Sequence, residues 1–390
     1  MHTKKIEQLL MSFLFTGLIF IHIIMSLALA VGLEEMERLC SYLILGMGFL
    51  MFSTAFFCQH KLRREDFVFF LFVVFCLLVG AYRRWEVENV IPVLCFILMM
   101  TVWRSAEAVS HSHVLAKRVC IAYTGQGLLL IGLFLSPYAY ESYQEYVEVS
   151  HELTLGFANP NQTGIILTST IMILLIAGEG SYMNRIWKMM INIELLFLSV
   201  MLILTDARTS ILSCVVFFVF YLFIVKKKKK FRRYPLVEDI IVCCPVFFVP
   251  FYLWLANKTE GEVIMFLGKK LISGRQRLYK KVLPLWWDKS LGNLKRFNLQ
   301  NFHNAYFTIL TNFGTIGFSI YLIFTLMSFH TFRKQCQTTQ KQLCIMAVLM
   351  LFLMGSAEAA VLVSGTIYYI YMLVILVLSK DYSEERRTFV

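Results

Sequence analysis

Two residues in the last third of the chain have side chains suited to proton transfer. His303 is the only histidine in the polar segment 257–303, and an apolar run follows it directly. Imidazole is the side chain best matched to general acid–base chemistry near neutral pH. Glu358 lies between the last two apolar runs, and a carboxylate in a membrane span is a functional candidate by default. We predict both as catalytic residues; plain interfacial polar roles remain open for both.

Arginines near the same segments could bind an anionic group. Arg208 lies in the tight turn TDARTS, and Arg275 follows a Ser-Gly turn, with Arg277 two residues later as a secondary candidate. The planar guanidinium group binds phosphate oxygens through two parallel hydrogen bonds. Pairing of Arg208 with Asp206 or with lipid phosphate is the open alternative.

Three asparagines complete the candidate set. Asn159 and Asn161 belong to the turn-forming segment GFANPNQ, which precedes a predicted helix from Thr163. Asn304 follows His303. We predict these three as secondary site residues.

The sequence indicates no metal site and no cofactor. The ten cysteines are scattered, mostly within apolar runs, without the spacing of metal ligands. An Asp-x-Asp motif, a Gly-rich phosphate loop and an ATPase signature are all missing from the sequence. Chemistry at these residues is therefore predicted to be independent of metal.

The elements that must position these residues are membrane-spanning helices. The chain is 58% hydrophobic and 16% charged, with mean hydropathy +0.67. Continuous apolar runs recur without period-2 alternation, which favours helices over a barrel. We predict an all-α polytopic membrane protein. No removable signal peptide is expected, because the first apolar run lacks a small-residue cleavage site.

The apolar runs predict twelve spans. The third and fourth are short for a hydrocarbon core of about 30 Å, and only Gly355–Glu358 separates the last two, so the expected range is ten to twelve. The spans are 9–32, 39–57, 67–80, 89–103, 119–137, 163–178, 190–205, 210–225, 239–256, 304–329, 342–356 and 359–379. They divide into an N-terminal bundle of generic spans (1–137), a region with the polar loop 257–303 (138–379), and a tail (380–390).

The basic residues predict the orientation. With the N-terminus in the cytoplasm, cytoplasmic segments hold 23 of the 37 basic residues and the short external connectors hold 4, with ten in segment 257–303. Positive charge in short loops stays cytoplasmic, so both termini are predicted to be cytoplasmic in a protein of the cell membrane. The run KKKKKFRR at 226–233 is the strongest anchor. The catalytic candidates then all fall on the external side.

The external segment is predicted to contain a basic amphipathic helix. Apolar residues recur at roughly helical spacing over 261–290, interleaved with Lys and Arg and interrupted at Pro284. Such a helix is expected to lie in the membrane interface. Most of its lysines would then be anchors.

These segments resemble the O-antigen ligase and polysaccharide polymerase family of bacterial envelope enzymes. The similar pieces are GFANPNQTG (156–164), TDARTSIL (205–212), SGRQRLY followed by a Trp pair and Ser-Leu-Gly-Asn (273–293), and HNAYFTILTNFGTIG (303–317). Glu358 also looks like a family position. The similarity covers roughly 150–370, and the extra basic cluster 269–281 has no counterpart in it.

The resemblance implies a glycosyltransferase of the C type that takes lipid-linked donors. Arg208 and Arg275 would hold the pyrophosphate of a polyprenyl-pyrophosphate oligosaccharide, and either His303 or Glu358 would be the base. A polymerase of capsular, exopolysaccharide or O-antigen repeat units is preferred over a ligase. Partners would be the lipid-linked oligosaccharide, membrane lipid and a flippase and chain-length regulator, with no nucleic acid. The alternative class is an oligosaccharide-lipid flippase or other transporter; a scaffold without catalysis is a third.

Overall fold

A computed structural model describes the helical part of the chain. The described ranges are 2–58, 62–84, 90–109, 113–140, 152–180, 184–226, 235–258, 265–266, 269–270, 279–280, 303–334, 338–358 and 366–380. Arg275 and Arg277 lie outside these ranges.

The described residues form twelve α-helices. These are α1 His2–Ala30, α2 Glu34–Cys58, α3 Arg64–Arg83, α4 Val90–Ala108, α5 His113–Phe134, α6 Pro160–Gly180, α7 Arg185–Leu204, α8 Arg208–Tyr221, α9 Pro235–Lys258, α10 Ala305–Lys334, α11 Thr339–Gly355 and α12 Thr366–Leu378. A 3-10 turn covers Pro137–Ala139, and a π-helical turn, Leu222–Lys226, extends α8.

Ten of these helices are long and apolar enough to cross a membrane, which confirms a polytopic helical membrane protein. Of the two predicted weak points, the one at the third and fourth spans was misplaced, and the one at the last two spans was placed correctly. Spans 67–80 and 89–103 belong to α3 and α4, with 20 and 19 residues. The short helices are α11 and α12, with 17 and 13 residues. At 1.5 Å per residue, α12 measures about 20 Å, less than a hydrocarbon core of about 30 Å.

The bundle is built around α6, α11 and α12. α6 packs against α5, α7, α8, α11 and α12, and its span is 83% buried. Peripheral helices such as α2, α7 and α9 are only 28% buried and leave large apolar side chains uncovered, as expected of surfaces that face lipid. α12 also packs against α4, and α10 against α3, so the predicted N-terminal bundle and the later region share one core.

The two ends of the bundle differ. One end, here the loop end, holds the C-terminus of α1 and the C-terminus of α9. The opposite end, here the charged end, brings together the start of α3, the end of α4 and the residues after α12. There Arg63 donates to Glu107 at 2.6 Å, Arg104 lies 3.7 Å from Asp66, and Lys380 donates to the backbone oxygens of Glu107 and Val109.

The predicted amphipathic helix over 261–290 is wrong for its first part. Two short strands, β1 Met265–Phe266 and β2 Lys269–Lys270, pair antiparallel there. The spacing of apolar residues in this part did not distinguish a helix from a hairpin. A strand of a hairpin also gathers apolar residues on one face, because alternate residues point to the same side.

Candidate functional site

The candidate site depends on a break in α10. Gly314 has φ 70° and ψ −174°, a conformation that only glycine adopts readily. The ring of Tyr306 lies 5.7 Å from that of Phe318 and 5.9 Å from that of Tyr321. In a straight helix the Cα atoms of residues 306 and 321 would be about 22 Å apart, too far for their side chains to meet. Residues 305–313 therefore fold back against 315–334.

The break brings the start of α10 inside the bundle. The hydroxyl of Tyr306 donates to the backbone oxygen of Val242 at 2.8 Å, and the amide of Asn304 donates to that of Pro245 at 2.8 Å. Pro245 lies near the middle of α9. His303, the residue before Asn304, therefore enters the bundle at the depth of the middle of α9.

His303 and Glu358 meet at this point. The Nδ1 of His303 lies 3.6 Å from the Oε1 of Glu358, and their side chains are 32% and 10% exposed. Glu358 follows the C-terminus of α11, where its backbone N–H donates to the oxygen of Met354. His303 has a positive φ of 50°, which an L-residue adopts only where its surroundings hold it. The structure thus joins the two residues predicted as catalytic.

The backbone at the pair is irregular although it lies within the bundle. His303 and Asn304 precede the first turn of α10, and Ser356 to Glu358 follow the last turn of α11. Non-helical backbone at membrane depth is tolerated where protein buries it or where it lines a water-filled cavity. The partly exposed ring of His303 fits the second case, and water could reach the pair.

The side chain of Asn304 has a structural role. Its side chain is fully buried; Oδ1 accepts from the backbone N–H of Phe307 at 2.9 Å, and Nδ2 donates to the backbone oxygens of Pro245 and Ser356 at 2.8 and 3.0 Å. The amide therefore caps α10 and ties it to α9 and to the end of α11. These three bonds use the groups with which it would bind a ligand.

The polar segment reaches the pair through Tyr279. This residue ends the SGRQRLY segment, is fully buried, and places its hydroxyl 3.5 Å from the backbone oxygen of His303. Its ring packs against Tyr252 of α9 and Phe307 of α10. Tyr279 is a site residue that the sequence reasoning missed, although the motif that contains it was recognised.

Arg208 begins α8 at the loop end. The turn before it is short: the hydroxyl of Thr205 accepts from the backbone N–H of Ala207 at 3.2 Å, and Asp206 has φ 51°. A Cβ added to Gly164 of α6 would lie 2.5 Å from the Cβ of Ala207, so α6 and the turn are in close contact. Arg208 is half-buried, and α8 packs along α11, the helix that ends next to Glu358.

The other two asparagines lie at the start of α6. Asn159 caps this helix, since its Oδ1 accepts from the backbone N–H of Gln162 at 3.0 Å. Asn161 is half-buried in the first turn. The helix predicted to start at Thr163 begins three residues earlier, at Pro160.

Tyr368 is a second residue near the pair that the sequence reasoning missed. Tyr368, in the first turn of α12, is buried, interacts electrostatically with Glu358, and its hydroxyl has no hydrogen-bond partner among the described residues. The run TIYYIY at 366–371 was a visible signal, because tyrosine hydroxyls inside a span need partners.

Polar groups continue into the interior at mid-depth. The amide of Gln126 donates to the hydroxyls of Ser26 and Tyr371 at 3.2 and 3.1 Å, and the ring of Tyr371 meets that of His22 edge-on at 4.6 Å. His22 is fully buried. Glu194 lies at the middle of α7 and is also buried.

Within the described ranges, His, Cys, Asp and Glu side chains do not gather in groups of three or more that could hold a metal ion. The His303–Glu358 pair has the two groups, an imidazole and a carboxyl, that an acid–base site requires.

Comparisons of the chain with protein-family models, with curated proteins and with solved structures found no match. The resemblance to the ligase and polymerase family therefore stays a prediction that rests on four short motifs. Those motifs supply His303, Arg208 and, through Tyr279, a contact to the pair.

Proposed function

We propose that this protein polymerises lipid-linked oligosaccharide repeat units at the outer face of the cytoplasmic membrane, during synthesis of a surface polysaccharide. The donor is an oligosaccharide on polyprenyl pyrophosphate, and the transfer is independent of metal. The observation that carries the proposal is the contact between His303 and Glu358 inside the bundle. The loop end is the external end in this proposal, and both termini are cytoplasmic.

The geometry favours His303 as the base. Its Nδ1 faces Glu358, which leaves Nε2 on the far side of the ring. A carboxylate that faces one ring nitrogen favours the tautomer with the proton on that nitrogen, so the other nitrogen can accept a proton from an acceptor hydroxyl. Glu358 then orients the ring and stabilises the imidazolium ion.

Arginines serve the leaving group. As the acceptor oxygen attacks the anomeric carbon, the bond from that carbon to the pyrophosphate oxygen breaks and negative charge grows on the phosphate. Arg208 and Arg275 are assigned to hold it. Arg275 is assigned from the resemblance, and in the sequence it precedes by four residues Tyr279, whose hydroxyl lies 3.5 Å from the backbone oxygen of His303.

The test is transfer by the purified protein in lipid. A polyprenyl-pyrophosphate oligosaccharide is supplied as both donor and acceptor, and products longer than one repeat unit are sought. We expect a ladder of products that is lost in His303→Ala and Arg208→Ala. Transfer only to a different acceptor lipid would identify a ligase. Full-length polymer from both variants, present at normal amounts, would overturn the catalytic proposal.

One observation favours a second candidate, a transporter of lipid-linked oligosaccharide. Helices interrupted inside the membrane are typical of transporter substrate sites, and α10 is interrupted at Gly314. Polar residues such as Gln126 and His22 also lie at mid-depth. A transporter would leave single lipid-linked units in the cytoplasmic leaflet when the protein is deleted, whereas loss of a polymerase would leave them in the outer leaflet.

A further inference from the structure

Asn304 connects the two backbones that carry the site pair. It directly follows His303, and its Nδ2 donates at 3.0 Å to the backbone oxygen of Ser356, two residues before Glu358. The same amide nitrogen donates to Pro245 of α9. Three separate helices therefore meet at one fully buried side chain.

This arrangement constrains the separation of the pair. The backbone before α10 lacks the repeating hydrogen bonds that hold a helix in place, whereas Ser356 to Glu358 are bonded to the last turn of α11 through the backbone oxygens of Leu353 and Met354. The bond from Asn304 to Ser356 is a side-chain hydrogen bond that joins the two stretches directly. The buried amide N–H of Asn304 has no water that could replace this hydrogen bond, so breaking the bond costs free energy.

We propose that Asn304 is a positioning residue whose amide holds His303 and Glu358 in register. The proposal replaces ligand binding as the role of Asn304. Its geometric part is independent of the proposed function, whereas its effect on the rate of transfer rests on that function.

Asn304→Ser isolates this role from helix capping. A serine hydroxyl still accepts from the backbone N–H of Phe307 and remains a good N-cap, but it cannot reach the two backbone oxygens. Asn304→Asp serves as a second variant, because a carboxylate also caps the helix and cannot donate when ionised. Tyr306→Phe is the matched control: it removes a buried hydrogen bond between α10 and α9, to Val242, and leaves Ser356 untouched.

The first measurement needs no activity. His303→Cys and Glu358→Cys are combined and treated with a short bifunctional methanethiosulfonate reagent, and the cross-linked peptides are quantified by mass spectrometry. We expect the cross-linked fraction to fall about tenfold when Asn304→Ser or Asn304→Asp is added, and to stay unchanged with Tyr306→Phe. An unchanged fraction in both Asn304 variants would overturn the proposal.

The second measurement uses transfer with His303 and Glu358 intact. A displacement of about 1 Å at a catalytic pair costs about 100-fold in rate, so Asn304→Ser should lower kcat by about that factor with little change in the donor KM. A raised KM with unchanged kcat would instead make Asn304 a ligand contact. If the cross-linked fraction falls but neither the wild type nor any variant shows transfer, the positioning role stands and the proposed function fails.

Discussion

The Oε1 of Glu358 lies 3.6 Å from the Nδ1 of His303, at a point where two helices end inside the bundle. Each residue alone could be an ordinary polar group at the edge of a span. Their proximity, with a carboxylate oxygen 3.6 Å from one ring nitrogen and the other nitrogen on the far side of the ring, supports an acid–base pair.

The pair predicts unequal losses on substitution. His303→Ala should lower the rate of transfer by about 100- to 10,000-fold, because it removes the base. Glu358→Gln should cost less, since the ring keeps its place but loses the charge that stabilises the imidazolium ion. The measurement is the initial rate of product formation with purified protein. Glu179→Gln, a carboxylate bound to Tyr221 at the charged end of α6, is the control and should leave the rate unchanged.

Gly314→Ala should disrupt the fold-back of α10. A side chain at φ 70° and ψ −174° costs about 1–3 kcal/mol, so the variant should unfold at lower temperature. It should also abolish transfer, because straightening α10 removes His303 from Glu358. Gly132→Ala, where an added Cβ meets nothing within 4 Å, should change neither property. If the Gly314→Ala variant transferred at the same rate as the wild type, the break in α10 would not be what positions the site.

Gly127 of α5 accommodates the buried carboxylate of Glu194. A Cβ at this position would lie 1.7 Å from the Oε1 of Glu194, so Gly127→Ala should destabilise the protein by about 1–3 kcal/mol in thermal unfolding in detergent. Gly125→Ala in the same helix has open space and should be neutral or stabilising by up to about 1 kcal/mol. Combining Gly127→Ala with Glu194→Ala should cost less than the sum of the single changes; strict additivity would refute the contact.

Lys380 at the charged end makes stability depend on pH. Desolvation by burial lowers the pKa of Lys380 to about 8, from 10.5 in its usual range, while Glu107 opposes this shift. Between these two pH values the unfolded chain binds the extra proton, so stability should rise as the pH increases from about 8 towards 10.5. The unfolding temperatures of the wild type and of Lys380→Met are compared across this pH window. The unfolding temperature of the wild type should rise relative to that of the variant as the pH increases. A constant difference would show that Lys380 does not titrate there.

The sequence by itself determined the order of the apolar helices, a range of ten to twelve spans, and the segments in which polar chemistry could occur. Hydropathy is a local property, because each span must satisfy its backbone internally and present apolar side chains to lipid, and this holds before any helix meets another. The motifs at 205–212, 273–279 and 303–317 could likewise be read from residue types alone.

Only the tertiary structure decided how these segments meet. Gly314 looks in the sequence like many other glycines in spans, and its backbone conformation follows from the packing of Tyr306 against Tyr321. That packing sets the depth of His303, its contact with Glu358 and the burial of Asn304. A local pattern cannot specify these features, since they depend on contacts between residues far apart in the chain.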